Sequence, residues 1–193
     1  MTAVECVRVP ARVVVDQQLS ADAVLMGMVL DRETVRTGLP AGWVSTTYQQ
    51  LLWRCGWDGL SPAAASKKVS RALRSLLDAG YLRRRGLGGS GRSYQLTSLW
   101  GAGDVVEVPA AQVYDAIGLG ARVLRHWLLL RLLVGPAGIS AAPIVVESRQ
   151  LGIRPATVSR QRRQLAAAGL IEVREVVGYE SLVSTVPVGG WSA

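Results

Sequence analysis

VSRALRSLLDAGYLRRRGLGGSGRSYQLT, residues 69–97, holds two competing readings. Its later half has the spacing of a phosphate-binding loop: Gly86, four residues, Gly91, then the basic Arg92 and the hydroxyl of Ser93. A loop of that kind takes Lys at the basic position and needs a strand before it and a helix after it, because the helix N-terminus and the backbone amides hold the phosphates. Here Arg stands in place of Lys, and YQLT follows, a short alternating run that reads as a strand. The expected structure is therefore a β-hairpin, with strands over residues 81–85 and 93–99 and a glycine-rich tip at 86–91.

The earlier half of the stretch reads as the end of a long helix. Ser61 and Pro62 occupy N-cap and first-turn positions, and Gly80 stops the helix. At about 100° per residue, Val69, Leu73, Leu76 and Leu77 share a core face, and Lys67, Ser70, Arg71 and Arg74 lie on the opposite one. Upstream, Ser45 is expected to cap a short helix over residues 46–54, with a turn at 56–59.

The pattern is written twice. VSRALRSLLDAGYL (69–82) aligns without a gap with VSRQRRQLAAAGLI (158–171), and Val9-Pro10-Ala11 followed by Asp16 recurs as Val108-Pro109-Ala110 followed by Asp115. Each lead runs into a helical pattern, over residues 20–30 and 119–134. The second copy then predicts a helix over 141–150, a turn at Gly152, a helix over 155–168 stopped by Gly169, and strands over 170–177 and 181–186 around Gly178. Two domains, 1–100 and 101–193, of α+β class and mainly α, are expected.

Charge follows this plan. The formal net charge is +8 and the sequence pI about 10.3. Residues 61–92 carry +7 and residues 149–174 carry +5, leaving −4 for the rest of the chain. Both basic stretches fall on the long helix and hairpin of a copy, which favours a polyanionic partner. There is no Phe or Asn, and two Lys stand against twenty Arg, the signature of a GC-rich bacterial genome.

With KKVSRALRSLLDAGYLRRR and TVSRQRRQLAAAGLIEV in the order helix, helix, turn, helix, hairpin, the chain resembles the winged helix-turn-helix family, present as two tandem copies covering nearly its whole length. The resemblance implies that the third helix of each copy enters the major groove of duplex DNA while the hairpin wing touches backbone or minor groove. The residues implied as contacts are Lys67, Ser70, Arg71 and Arg74 on the first helix and Arg83, Arg84, Arg85 and Arg92 around the first wing. Arg can read guanine with a bidentate pair, and Ser or Lys can anchor phosphate. Strand alternation sends Arg83 and Arg85 to one side and Arg84 to the other. In the second copy the corresponding residues are Thr157, Ser159, Arg160 and Arg163. Its hairpin carries Glu172, Glu175 and Glu180, a poor partner for phosphate, with packing on protein as the alternative.

The resemblance further implies a sequence-specific double-stranded DNA-binding protein, foremost a bacterial transcriptional regulator in the cytoplasm, associated with the nucleoid. Two reading heads in one chain cover two half-sites, and a homodimer would extend the site. The layout is also similar to plasmid and phage replication initiators, through the VPA lead and the duplication. A tandem winged-helix adaptor for protein partners is the third reading, against which the clustered positive charge argues.

Other chemistry lacks its parts. His126 is the only histidine and lies in an apolar helix, and the two cysteines, Cys6 and Cys55, stand apart from any ligand motif. No enzyme, metal or cofactor is expected, and two buried thiols are the simple expectation for the cysteines. The N-terminus has no secretory pattern, and the apolar run at 123–134 is too short and too charged to span a bilayer. Trp43, Trp53, Trp57, Trp100 and Trp127 are expected in cores. Arg162 aligns with Leu73 on a core face, where it either snorkels at the edge, pairs with Glu147, or makes an inter-domain or dimer contact.

Overall fold

A computed structural model describes residues 6–37, 42–86, 92–134, 139–140, 142–176 and 179–185. The chain is α+β and mainly helical, with small antiparallel sheets. It opens with β1 (Cys6–Pro10) and α1 (Ala11–Val15). It divides into two compact units, one within residues 18–104 and the other joining the described residues up to Gln17 with those from Val105 onward.

In the first unit, 18–104, Ser20 caps α2 (Ala21–Thr37) by accepting the Ala23 amide at 3.1 Å. After α2 come β2 (Trp43–Thr46), α3 (Tyr48–Arg54) and α4 (Pro62–Asp78), then β3 (Leu82–Gly86), β4 (Arg92–Leu96) and the short α5 (Ser98–Gly101). The cap of α3 is Thr47 and not Ser45: Thr47 accepts from the Gln50 amide at 3.2 Å while the Gln50 side chain accepts from the Thr47 amide at 3.0 Å, a capping box. Ser45 belongs instead to β2, where its hydroxyl meets that of Ser93 at 3.0 Å across the β2–β4 pairing. β2 therefore adds a third strand to the expected hairpin, in the order β2-β4-β3.

β3 and β4 pair antiparallel, so a strand and not a helix follows the glycine-rich segment, of which residues 87–91 lie outside the described residues. The second strand ends at Leu96 and does not continue to residue 99, because the chain turns into α5. Trp100 of α5 is buried against Gly27 of α2, where any Cβ would overlap its indole ring, and it meets Tyr81 edge to face at 6.3 Å. Within α4, Val69, Ala72, Leu73 and Leu76 are buried as the periodicity requires, and Leu77 is half-buried. Gly80, at φ +76°, ends that helix in the left-handed region.

The second unit repeats the order. β5 (Val105–Pro109), α6 (Ala110–Gly118), α7 (Ala121–Val134), β6 (Ile139–Ser140), α8 (Ile144–Leu151), α9 (Pro155–Ala167), β7 (Ile171–Val176) and β8 (Tyr179–Thr185) follow, with sheet order β6-β8-β7. β1 pairs antiparallel with β5, from Cys6↔Pro109 to Pro10↔Val105, and α1 packs on α7. The residues that the repeat assigns to the start of the first copy thus fold with the second unit, and the first unit runs on to Asp104. The reason is the alternation of valines in both leads: Val7, Val9, Val106 and Val108 are all buried, and pairing the two strands buries both sets. Arg125 of α7 binds the lead from inside by donating to the carbonyls of Val14 at 2.8 Å and Asp16 at 2.6 Å.

Arg162 does not snorkel. It is buried and donates through Nε to Glu147 Oε2 at 3.1 Å and through Nη2 both to Glu147 Oε1 and to the Ala142 carbonyl, the last at 3.0 Å. His126 Nε2 donates to the same carboxylate at 2.7 Å, and both His126 and Glu147 are fully buried. The core of the second unit is thus crossed by a histidine, a carboxylate and a guanidinium. Cys55 is buried as expected but Cys6 is exposed, since β1 alternates and presents that residue outward. Trp57, Trp100 and Trp127 are core residues, whereas Trp53 on α3 is 70% exposed, contrary to expectation.

Candidate nucleic-acid interface

On α4 the sequence places the basic residues away from the buried stripe, and Lys67, Arg71 and Arg74 are exposed. Ser70 is half-buried, its hydroxyl 3.2 Å from that of Tyr48 at the start of α3. Lys68, between them in sequence, is turned to the fold: it pairs with Asp22 at 3.3 Å and covers the Trp57 ring at 4.5 Å. Beside α4 the hairpin exposes Arg83, Arg84, Arg85 and Arg92.

Register sorts these four. Arg84 stands opposite Tyr94, Arg83 opposite Gln95, and Arg85 opposite Ser93. Arg84, Tyr94 and Arg92 therefore share the face turned to α4, while Arg83 and Arg85 share the other. Between that face and α4 lies a pocket of about 500 Å³ walled by Tyr48, Ser70, Leu73, Arg74, Leu77, Asp78, Arg84, Arg92 and Tyr94. Arg92 donates to the Tyr48 hydroxyl at 3.0 Å, with its guanidinium 5.4 Å from the Tyr48 ring centre. Tyr94 is 1% exposed; Arg92 approaches its hydroxyl as a donor, and no acceptor for the phenol proton stands among the described residues. Burial, the largest influence, raises the Tyr94 pKa above the ordinary phenol value, so the group stays a donor.

Tyr48 and Tyr94 were not legible as site residues. Tyr94 had a signal, since it alternates with Arg92 on the strand that faces the helix. Tyr48 had none, because only the fold brings the start of α3 against β4.

In the second unit Arg160 and Arg163 are exposed on α9, while Thr157 and Ser159 are half-buried. The Ser159 hydroxyl donates back to the Pro155 carbonyl at 3.2 Å, which occupies its proton locally. The second hairpin has different chemistry. The register opposite Val183 holds Val173, in the place where the first unit pairs Arg84 with Tyr94, and exposed Glu172 and Arg174 neutralise each other at 3.0 Å. The side chains of Glu175 and Glu180 lie outside the described residues.

Inside the second unit, burial is the largest influence on Glu147 and pushes its pKa up, but the hydrogen bonds from His126 and Arg162 outweigh it and hold the carboxyl below its ordinary value. Among the described residues no group of three His, Cys, Asp or Glu side chains could hold a metal ion, and no helix is long and apolar enough to cross a membrane. In comparisons with known proteins, the sequence matches no family model and no curated protein.

Proposed function

We propose that the chain is a sequence-specific double-stranded DNA-binding protein made of two tandem winged helix-turn-helix units, and that it acts as a bacterial transcriptional regulator in the nucleoid. The observation that carries this reading is the first unit's helix and hairpin, with Lys67, Arg71 and Arg74 exposed on α4 and Arg84 and Arg92 facing the same groove from the adjacent strands. An exposed, cationic helix of 17 residues is of a form that fits a major groove, and flanking guanidiniums suit the phosphates on either side. The repeated element order supports two such units per chain. In this reading α9 contributes Arg160 and Arg163, with Thr157 and Ser159 as weaker anchors, and Arg83 and Arg85 serve as outlying phosphate contacts. The function is binding, with no catalysis and no cofactor, and a homodimer would double the half-sites.

The test is fluorescence anisotropy of a labelled duplex across a salt series. Counterion release predicts a slope of log K against log salt of about −0.9 per phosphate neutralised. Selection of bound fragments from the source genome then gives the site. Half-sites overlapping promoters support the regulator, whereas a flat salt dependence with no enriched sequence would favour a protein adaptor. A plasmid or phage replication initiator is the second reading, favoured by the duplication of the strand-helix lead, β1–α1 and β5–α6, along with the helices. Enrichment of clustered repeats beside an AT-rich segment would select it.

A further inference from the structure

The groove between α4 and the hairpin has more donors than the protein satisfies. Three guanidiniums, of Arg74, Arg84 and Arg92, face one carboxylate, that of Asp78. The Tyr94 hydroxyl is buried at the groove wall, and the group that reaches it, Arg92, can only donate, so the phenol proton meets no acceptor among the described residues. Tyr48 accepts from Arg92 and shares a hydrogen bond with Ser70; whichever of those two hydroxyls donates to the other, one proton is left over. A buried donor without an acceptor is costly, on the order of 1–3 kcal/mol, and here the surplus is concentrated in one place. What would satisfy it is a compact, multiply accepting anion.

From this surplus we infer that the groove is a receptor for a phosphate group, held by Arg84, Arg92 and Arg74 with Tyr94 and the Tyr48–Ser70 pair as neutral donors. Guanidinium forks match phosphate oxygens geometrically, and their planar donors need no rearrangement to do so. The space of about 500 Å³ exceeds what one phosphate fills, and the apolar wall formed by Leu73 and Leu77 suits an attached sugar. The ligand class is therefore a phosphate ester, either a backbone phosphodiester of bound DNA or a free phosphorylated small molecule. In the first case the inference rests on the DNA-binding reading, and in the second it does not. The second unit serves as an internal control, because Val173 and Val183 hold the register of Arg84 and Tyr94 and the same backbone stands there without a donor.

The experiment uses the full chain and two probes: inorganic phosphate at constant ionic strength, followed by calorimetry, and a short mixed-sequence duplex at low salt, followed by anisotropy. Wild type is compared with Arg84→Gln, Tyr94→Phe and Arg83→Gln, the last removing a charge from the other face of the same strand, with thermal melts to verify folding. Arg84→Gln and Tyr94→Phe are expected to weaken a phosphate-containing probe roughly tenfold or more, and Arg83→Gln no more than about threefold. A selective loss with the duplex identifies the backbone as the source of the phosphate. A selective loss with inorganic phosphate alone identifies a free phosphorylated ligand, and stands even if no duplex binds. If the Arg84 and Tyr94 variants match Arg83→Gln with both probes, the receptor is overturned, and wild-type duplex binding then judges the DNA-binding reading separately.

Discussion

Met26, Leu51 and Leu73 of the first unit are buried apolar side chains; His126, Glu147 and Arg162 are buried at the matching places of the second. The correspondence follows from the backbone. Met26 and His126 each lie six residues past the residue whose carbonyl starts α2 or α7, Leu51 and Glu147 each four past the cap of α3 or α8, and Leu73 and Arg162 align in the gapless repeat. One plan of helices thus accepts either filling, the polar one pairing its carboxylate with a guanidinium and an imidazole inside the core. A further pair shows the same trade by volume. Gly27 leaves room for Trp100, delivered by α5, while Trp127 at the equivalent step of α7 fills its own space. The surfaces diverge too, for the first hairpin groove is lined by Arg and Tyr where the second has Val. The lesson is that packing volume maintains the fold in both units, while the guanidiniums described beside a hairpin groove belong to the first.

The largest expected effect comes from breaking the polar core by halves. Arg162→Leu, the residue found in the first unit, leaves the buried Glu147 carboxylate without its guanidinium and should cost about 3–5 kcal/mol in urea unfolding. The whole exchange, His126→Met with Glu147→Leu and Arg162→Leu, should be neutral or stabilising by up to about 4 kcal/mol, because no member of the cluster is then left buried without its partner. A triple variant less stable than Arg162→Leu alone would show that the two cores are not interchangeable. Duplex binding by Arg162→Leu should survive only in the fraction that folds.

Next in size is the contrast between the helices. Arg71→Ala on α4 should cost about 1–3 kcal/mol on a selected duplex and relax preference at one base pair. Arg160→Ala, in a unit whose hairpin holds Val173 and Val183 where the first holds Arg84 and Tyr94, should cost less. Equal losses from both, measured by anisotropy, would place the two helices on an equal footing in binding.

Acid should separate the units more gently. The Glu147 carboxyl is held below its ordinary value of 4.5 in the folded chain, so its contribution to stability is present above that pH and fades as pH falls through the lower folded value. Urea midpoints should therefore drop below about pH 4.5 in wild type, and less steeply in the triple variant, which lacks the group. The smallest effect concerns thiols. Cys55 is buried, which pushes its pKa to about 12, whereas Cys6 is exposed. A thiol reagent at mildly alkaline pH should modify one cysteine in the native chain and two after denaturation.

Much of the secondary structure was legible because local signals were strong: Pro62 at a helix start, and Gly80, Gly152 and Gly169 as stops, each of which the structure holds at positive φ. The exposure of Lys67, Arg71, Arg74, Arg160 and Arg163 followed from helical periodicity alone. Ser45 misled because Ser and Thr cap equally well, and only the reciprocal bond from Gln50 selects Thr47. β2 escaped notice because four residues carry too little periodicity, and their pairing with β4 is a long-range choice.

By itself the sequence determined the repeat, the helices with their polar faces, the hairpin in place of a phosphate loop, and the concentration of positive charge, since each depends on residues within a few turns of one another. Only the tertiary structure decided that β1 folds against β5, that Arg162 finds Glu147 and His126 in a core, and that Tyr48 and Tyr94 join Arg74, Arg84 and Arg92 in one groove. Those outcomes depend on which distant elements are brought together to bury apolar surface and satisfy buried donors, and no local pattern encodes that pairing.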